Sequence, residues 1–114
     1  MKRAEAEIET LMPAFTHLQR AQPIRLAHWL LAHFWPLERD AARFLAAAEG
    51  ASVLPLGSGA VSGHAFGLDR AALAKDLGFH GVSENSVDAV GDRDFALDFA
   101  FACAMTDMHP SVRG

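Results

Sequence analysis

The stretch FALDFAFACAM, Phe95 to Met105, decides how this chain folds, because Asp98 is the only charged residue in it. At helical spacing its aromatic and aliphatic side chains fall on every side, and a helix that is apolar all round has to be buried all round. Upstream, Ala27, Leu30, Leu31, Phe34, Leu37, Ala41, Phe44, Leu45 and Ala48 recur at intervals of three, four and seven. That spacing predicts a long helix over 24–48. Leu26, Trp29 and Trp35 lie off its main stripe, so more than one face needs cover. Pro36 sits inside it and is expected to kink the helix or remove one of its hydrogen bonds.

Working outward, residues 1–11 read as the end of a helix, with Glu5, Glu7 and Glu9 offset from Ile8 and Leu11, and Pro13 as its stop. Loops are expected at 13–23, 49–68 and 78–86, where proline and glycine collect. Asp69 is placed to cap a short helix that runs to Leu77 and stops at Gly78. Ser86 is a second cap, with Asp88 in the first turn of a last helix over 87–108. No alternating strand pattern appears, so the expected class is all-α. Two long helices and one short one cannot surround the apolar segment in a chain of 114 residues. The missing cover points to partner subunits or to further sequence.

Composition narrows the function. With 14 acidic against 10 basic residues the net charge is −4, which argues against a dedicated nucleic-acid binder, since that would show a basic face. Hydrophobic residues at 51% exclude a disordered chain. A single cysteine, Cys103, cannot form an internal disulfide. No apolar run reaches membrane-spanning length, and the first twelve residues lack a secretory core, so a cytoplasmic, soluble protein is expected.

His28 and His33 are five apart and do not share a helix face, so no metal site is expected. GSGAVSG, Gly57 to Gly63, lacks the lysine and hydroxyl of a phosphate loop and reads as a tight turn. Asp88, Asp92, Arg93 and Asp94 read as capping and local ion pairs near a helix start. The strongest candidate is THLQRAQP, Thr16 to Pro23. Its histidine can exchange protons near neutral pH, and its hydroxyl and amides can hold a carboxylate.

THLQRAQP resembles a signature of the aspartase–fumarase superfamily. LPLGSGA (Leu54 to Ala60), LDR (Leu68 to Arg70) and the stretch from Leu77 to Phe99, with VSENSVDAVGDRDF, follow in order. Together they resemble the argininosuccinate lyase branch, over roughly residues 10 to 105. The resemblance implies a long-helix bundle, in homotetramers whose active sites gather residues from three subunits. It implies a β-elimination that splits argininosuccinate into arginine and fumarate, without a cofactor. His17 corresponds to the catalytic acid/base, Thr16 to a substrate-binding threonine, and Gln19, more loosely, to a residue near the same pocket. Other fumarate-releasing lyases and a non-catalytic bundle are the alternatives.

Several features depart from the pattern. Ala14 and Phe15 replace Gly and Tyr before Thr16, and the tail HPSVRG, residues 109–114, is expected to break the helix at Pro110. The family's earlier asparagine-bearing motif and its later serine loop are missing from residues 1–114. The sequence therefore reads as one partial domain, the central helical region of a lyase. On its own it is expected to be inactive, having lost ~10²–10⁴-fold or more with the serine loop.

Overall fold

The computed structural model describes residues 1–111. Its elements in chain order are α1 (Lys2–Ala6), β1 (Leu11–Thr16), β2 (Gln19–Arg25), α2 (Leu26–Gly50), β3 (Val53–Leu54), α3 (Arg70–Leu77), β4 (Gly81–Val82), α4 (Ser86–Gly91) and α5 (Asp94–Ser111). Helix dominates, as expected, but the chain is not all-α: β1 and β2 form an antiparallel ribbon, and β3 and β4 a short parallel pair.

The ribbon is the largest correction, since 13–23 was expected to be a loop. Pro13 and Pro23 face one another across it, and the register slips between Pro13 and Phe15. A two-stranded ribbon has only edge strands, where a missing proline N–H is tolerated. The first helix ends at Ala6 rather than near Leu11, so the chain has left the helix well before Pro13. Thr10 then donates its hydroxyl to Glu7, and the chain turns into β1. Within the expected loops 49–68 and 78–86, Val53 and Leu54 pair with Gly81 and Val82.

Helix α2 is continuous across Pro36, whose side chain is fully buried. The ring gives up one backbone donor, and its burial offsets part of that loss. Helix α3 follows its sequence signals closely. Asp69 accepts a hydrogen bond from the Ala72 N–H at 3.0 Å, and Gly78 closes the helix in the left-handed conformation at φ 81°. The expected last helix is instead two. Asn85, not Ser86, caps α4, accepting from the Val87 and Asp88 N–H groups. Asp92 then turns extended and accepts from the Asp94 N–H at 2.8 Å, starting α5. Helix α5 runs on through Pro110 to Ser111 rather than breaking there; residues 112–114 of the divergent tail lie outside the described residues.

The chain divides into two compact units, one of Met1–Ala42 with the segment from Ala104 onward, the other of Arg43–Cys103. In the first, Ala4, Ala27 and Pro36 are buried with Asp40, whose Oδ2 lies 2.8 Å from His109 Nδ1. In the second, Ala47, Leu54, Ala74 and Ala102 are buried, and Phe44 meets Phe99 edge to face at 5.8 Å. Phe95, Leu97, Phe99 and Phe101 of α5 all remain exposed in the single chain, Leu97 by 66%.

Candidate functional site

Thr16, His17 and Gln19 come together at the tip of the β1–β2 ribbon. Thr16 ends β1, Gln19 begins β2, and the two are cross-strand partners. Paired residues of a ribbon present their side chains on one face, so the hydroxyl and the amide lie side by side. His17 and Leu18 form the two-residue turn between them, with φ of 51° and 61°. Both therefore occupy the left-handed region that hairpin turns of this length require. Such turns are ordinarily made by Asn-Gly or Asp-Gly, because an L side chain there costs about 1–2 kcal/mol. This turn carries two such side chains, and strain of that kind is concentrated at functional positions.

The base of the ribbon is held firmly. Leu26 N–H donates to the Thr10 carbonyl at 2.8 Å, and the Arg25 guanidinium donates to the Ile8 carbonyl and to Glu9. The tip, by contrast, is open: Thr16, His17 and Gln19 are all exposed, and Leu18 is 99% exposed. Because the Leu18 side chain makes so little contact, replacing it costs nothing in packing. We expect Leu18→Gly to stabilise the chain by up to about 1 kcal/mol, as relief of turn strain outweighs the added freedom of the unfolded glycine. Urea unfolding at fixed protein concentration checks this; destabilisation beyond about 1 kcal/mol would mean that Leu18 is packed against something.

The other candidates resolve into structure. His33 packs edge to face on Trp29 at 4.6 Å. Among the described residues no three of His, Cys, Asp and Glu are grouped as metal ligands. In GSGAVSG, Ser58 is buried and donates its hydroxyl to the Pro55 carbonyl at 2.7 Å. A Cβ on Gly59 would collide with the Gly63 carbonyl, so the turn is as tight as the sequence implied. Arg93 donates to the Val90 and Asp92 carbonyls, so the charge cluster serves the α4–α5 junction.

A cleft of about 770 Å³ lies within the second unit, with Val53, Pro55, Phe79 and Phe95 as apolar walls and Ser83 and Asp88 among its polar ones. Arg70 enters the sequence reading only as the last residue of the LDR motif, with no role attached. Its guanidinium donates to the Leu54, Leu56 and Ser83 carbonyls and to the Ser83 hydroxyl, which is 2.7 Å away. Its position at the first residue of a capped helix was the available signal, but its acceptors lie too far along the chain to be read from spacing.

Residues 1–111 match a protein-family model described as lyase. The chain is 55% identical over 111 residues to the argininosuccinate lyase of Roseiflexus castenholzii, covering 97% of this chain and 24% of that protein. It is 54% identical over 108 residues to the argininosuccinate lyase of Carboxydothermus hydrogenoformans, covering 95% of this chain and 24% of that one. It thus spans about a quarter of the length of these relatives. Among solved structures, EDDS lyase in complex with formate superposes with a TM-score of 0.88 at 30% identity, over 95% of this chain and 22% of that chain. A variant of EDDS lyase with bound fumarate gives 0.85 at 30% identity, over 92% and 21%.

Proposed function

Because this chain belongs to the lyase family, we propose that it forms part of an argininosuccinate lyase, in which His17 exchanges the proton of a β-elimination. The observation that carries the reading is the ribbon tip, where a histidine in a strained turn stands between a threonine hydroxyl and a glutamine amide. Its support from relatives is the 50–55% identity to curated argininosuccinate lyases over nearly the whole chain.

The reaction splits a carbon–nitrogen bond. A base removes a proton from the carbon next to a succinyl carboxylate, leaving an aci-carboxylate. Collapse of that intermediate forms the double bond of fumarate and expels the guanidino nitrogen, which takes up a proton and leaves as arginine. Histidine suits either proton transfer, since it is the side chain that most readily exchanges protons near neutrality. Thr16, and more weakly Gln19, would hold a carboxylate by hydrogen bonds from hydroxyl and amide. The elimination is redox-neutral, and the charge it develops can be met by hydrogen bonds and proton transfer, so no cofactor is called for. The assignment of His17, Thr16 and Gln19 to these roles is part of the proposal.

The open tip implies that other groups complete the site. We place them on further copies of the chain, in a homotetrameric bundle that would also cover Phe95, Leu97 and Phe101 of α5. Exposed apolar faces of this kind mark interaction surfaces. None of the described helices is long and apolar enough to cross a membrane, which is consistent with a cytoplasmic enzyme.

The fumarate held by the EDDS lyase variant keeps a second reading in view, a sibling lyase that releases fumarate from another succinyl compound. We expect the protein, as its source produces it, to release fumarate from argininosuccinate with a kcat/KM at least about 100-fold above that for adenylosuccinate, aspartate or malate, the discrimination two or three lost contacts supply. Equal or higher turnover of one of those three would transfer the assignment to the sibling. Absence of turnover on all four would favour a non-catalytic bundle.

A further inference from the structure

The segment between β3 and α3, residues 55–69, contains no helix or strand, and every residue from Gly59 to Asp69 is exposed. Irregular segments of this length are uncommon in compact domains, and they need a specific anchor to keep one shape. Here the anchors gather at one end. Arg70 Nε donates to the Leu56 carbonyl at 3.0 Å, Nη1 to the Ser83 carbonyl at 3.1 Å, and Nη2 to the Ser83 hydroxyl at 2.7 Å and the Leu54 carbonyl at 3.3 Å. The Leu54 carbonyl also accepts from the Ser83 N–H at 3.0 Å. One side chain therefore joins the start of the segment to the turn after β4.

The fit is steric as well as polar. A Cβ on Gly57 would come within 2.8 Å of Arg70 Cγ, so the guanidinium stem lies in a notch that only glycine leaves open. A second tie lies further along, where the Ser86 hydroxyl donates to the Val61 carbonyl at 2.6 Å. Inside the segment, Ser58 N–H donates to the Pro55 carbonyl and Gly63 N–H to the Ser58 carbonyl. These two amides report whether the segment holds its shape.

We propose that Arg70 is a latch that holds residues 55–63 in one preset conformation, so that this exposed segment is a fixed platform and not a swinging lid. The planar guanidinium is suited to this task because it presents several donors at fixed angles. Lysine would keep the charge but offer its donors from a single point. The latch stands on the second unit's own geometry and does not depend on the lyase reading.

Hydrogen exchange of the intact protein tests it. In Arg70→Lys, protection of the Ser58 and Gly63 amides is expected to fall about tenfold or more, while amides in the middle of α5 keep theirs. Ser83→Ala removes one of the four bonds and is expected to cause about a threefold loss at the same two amides. The double variant is expected to be no looser than Arg70→Lys alone, since the Ser83 hydroxyl acts only through the Arg70 guanidinium. Unchanged protection in Arg70→Lys, or additive losses in the double variant, would overturn the latch. Should Arg70→Lys fail to fold, Ser83→Ala decides alone: a loss confined to the two reporting amides upholds the proposal, and no loss overturns it.

Discussion

Replacing His17 with asparagine should lower fumarate release from argininosuccinate by about 10²–10⁴-fold, the contribution of a positioned proton-transfer group. Asparagine is the informative choice because it tolerates the left-handed backbone that the turn requires at φ 51°. The ribbon therefore keeps its register, and Thr16 stays opposite Gln19. What is lost is the imidazole alone. A fall in kcat with KM little changed would identify a group that acts in the transition state, whereas a rise in KM alone would make His17 a binding residue. Thr16→Val should show the complementary pattern, with KM raised. Unchanged turnover in His17→Asn would remove His17 from the mechanism.

The second large effect concerns stability. Asp40 is 2% exposed, and its carboxylate lies 2.8 Å from the His109 imidazole, with α2 supplying one partner and α5 the other. Taking a carboxylate out of water costs several kcal/mol and is recovered only through partners of good geometry. His109→Leu removes one partner of that buried carboxylate and should destabilise the protein by about 1–3 kcal/mol. His109→Gln, whose side-chain amide can still donate to the carboxylate, should recover part of the loss. Urea unfolding at one protein concentration reads both. His109→Leu as stable as the parent, or His109→Gln no better than His109→Leu, would contradict this account of the contact.

How much of this was legible in the sequence differs from element to element, for physical reasons. Helix α3 was fully legible, because its cap Asp69 and its stop Gly78 act locally and both do what their residue types predict. Helix α2 was legible from periodicity to within two residues at each end. The break between α4 and α5 was not, because Asp92 caps by adopting an extended backbone that an aspartate does not require. The ribbon was hidden most thoroughly. Its strands carry Pro13 and Pro23, and its turn is His-Leu where a hairpin signal would be Asn-Gly.

The candidate site was legible as chemistry but not as geometry. The grouping of Thr16, His17 and Gln19 follows from their adjacency in the chain, yet their placement across a strained two-residue turn does not. Arg70 shows the opposite limit. Its hydrogen bonds reach acceptors 13–16 positions away, and no spacing rule connects an arginine to carbonyls at that distance. The exposed aromatic side chains of α5 were expected from the all-round apolar pattern, and the single chain indeed leaves Phe95, Phe99 and Phe101 without full cover.

The most direct test of the central claim is product analysis. Protein purified from its source is incubated with argininosuccinate, and fumarate and arginine are quantified together. The account predicts both products in equal amounts, formed without added cofactor and lost in the His17→Asn variant. Argininosuccinate left intact, or products formed equally well without the imidazole, would contradict it.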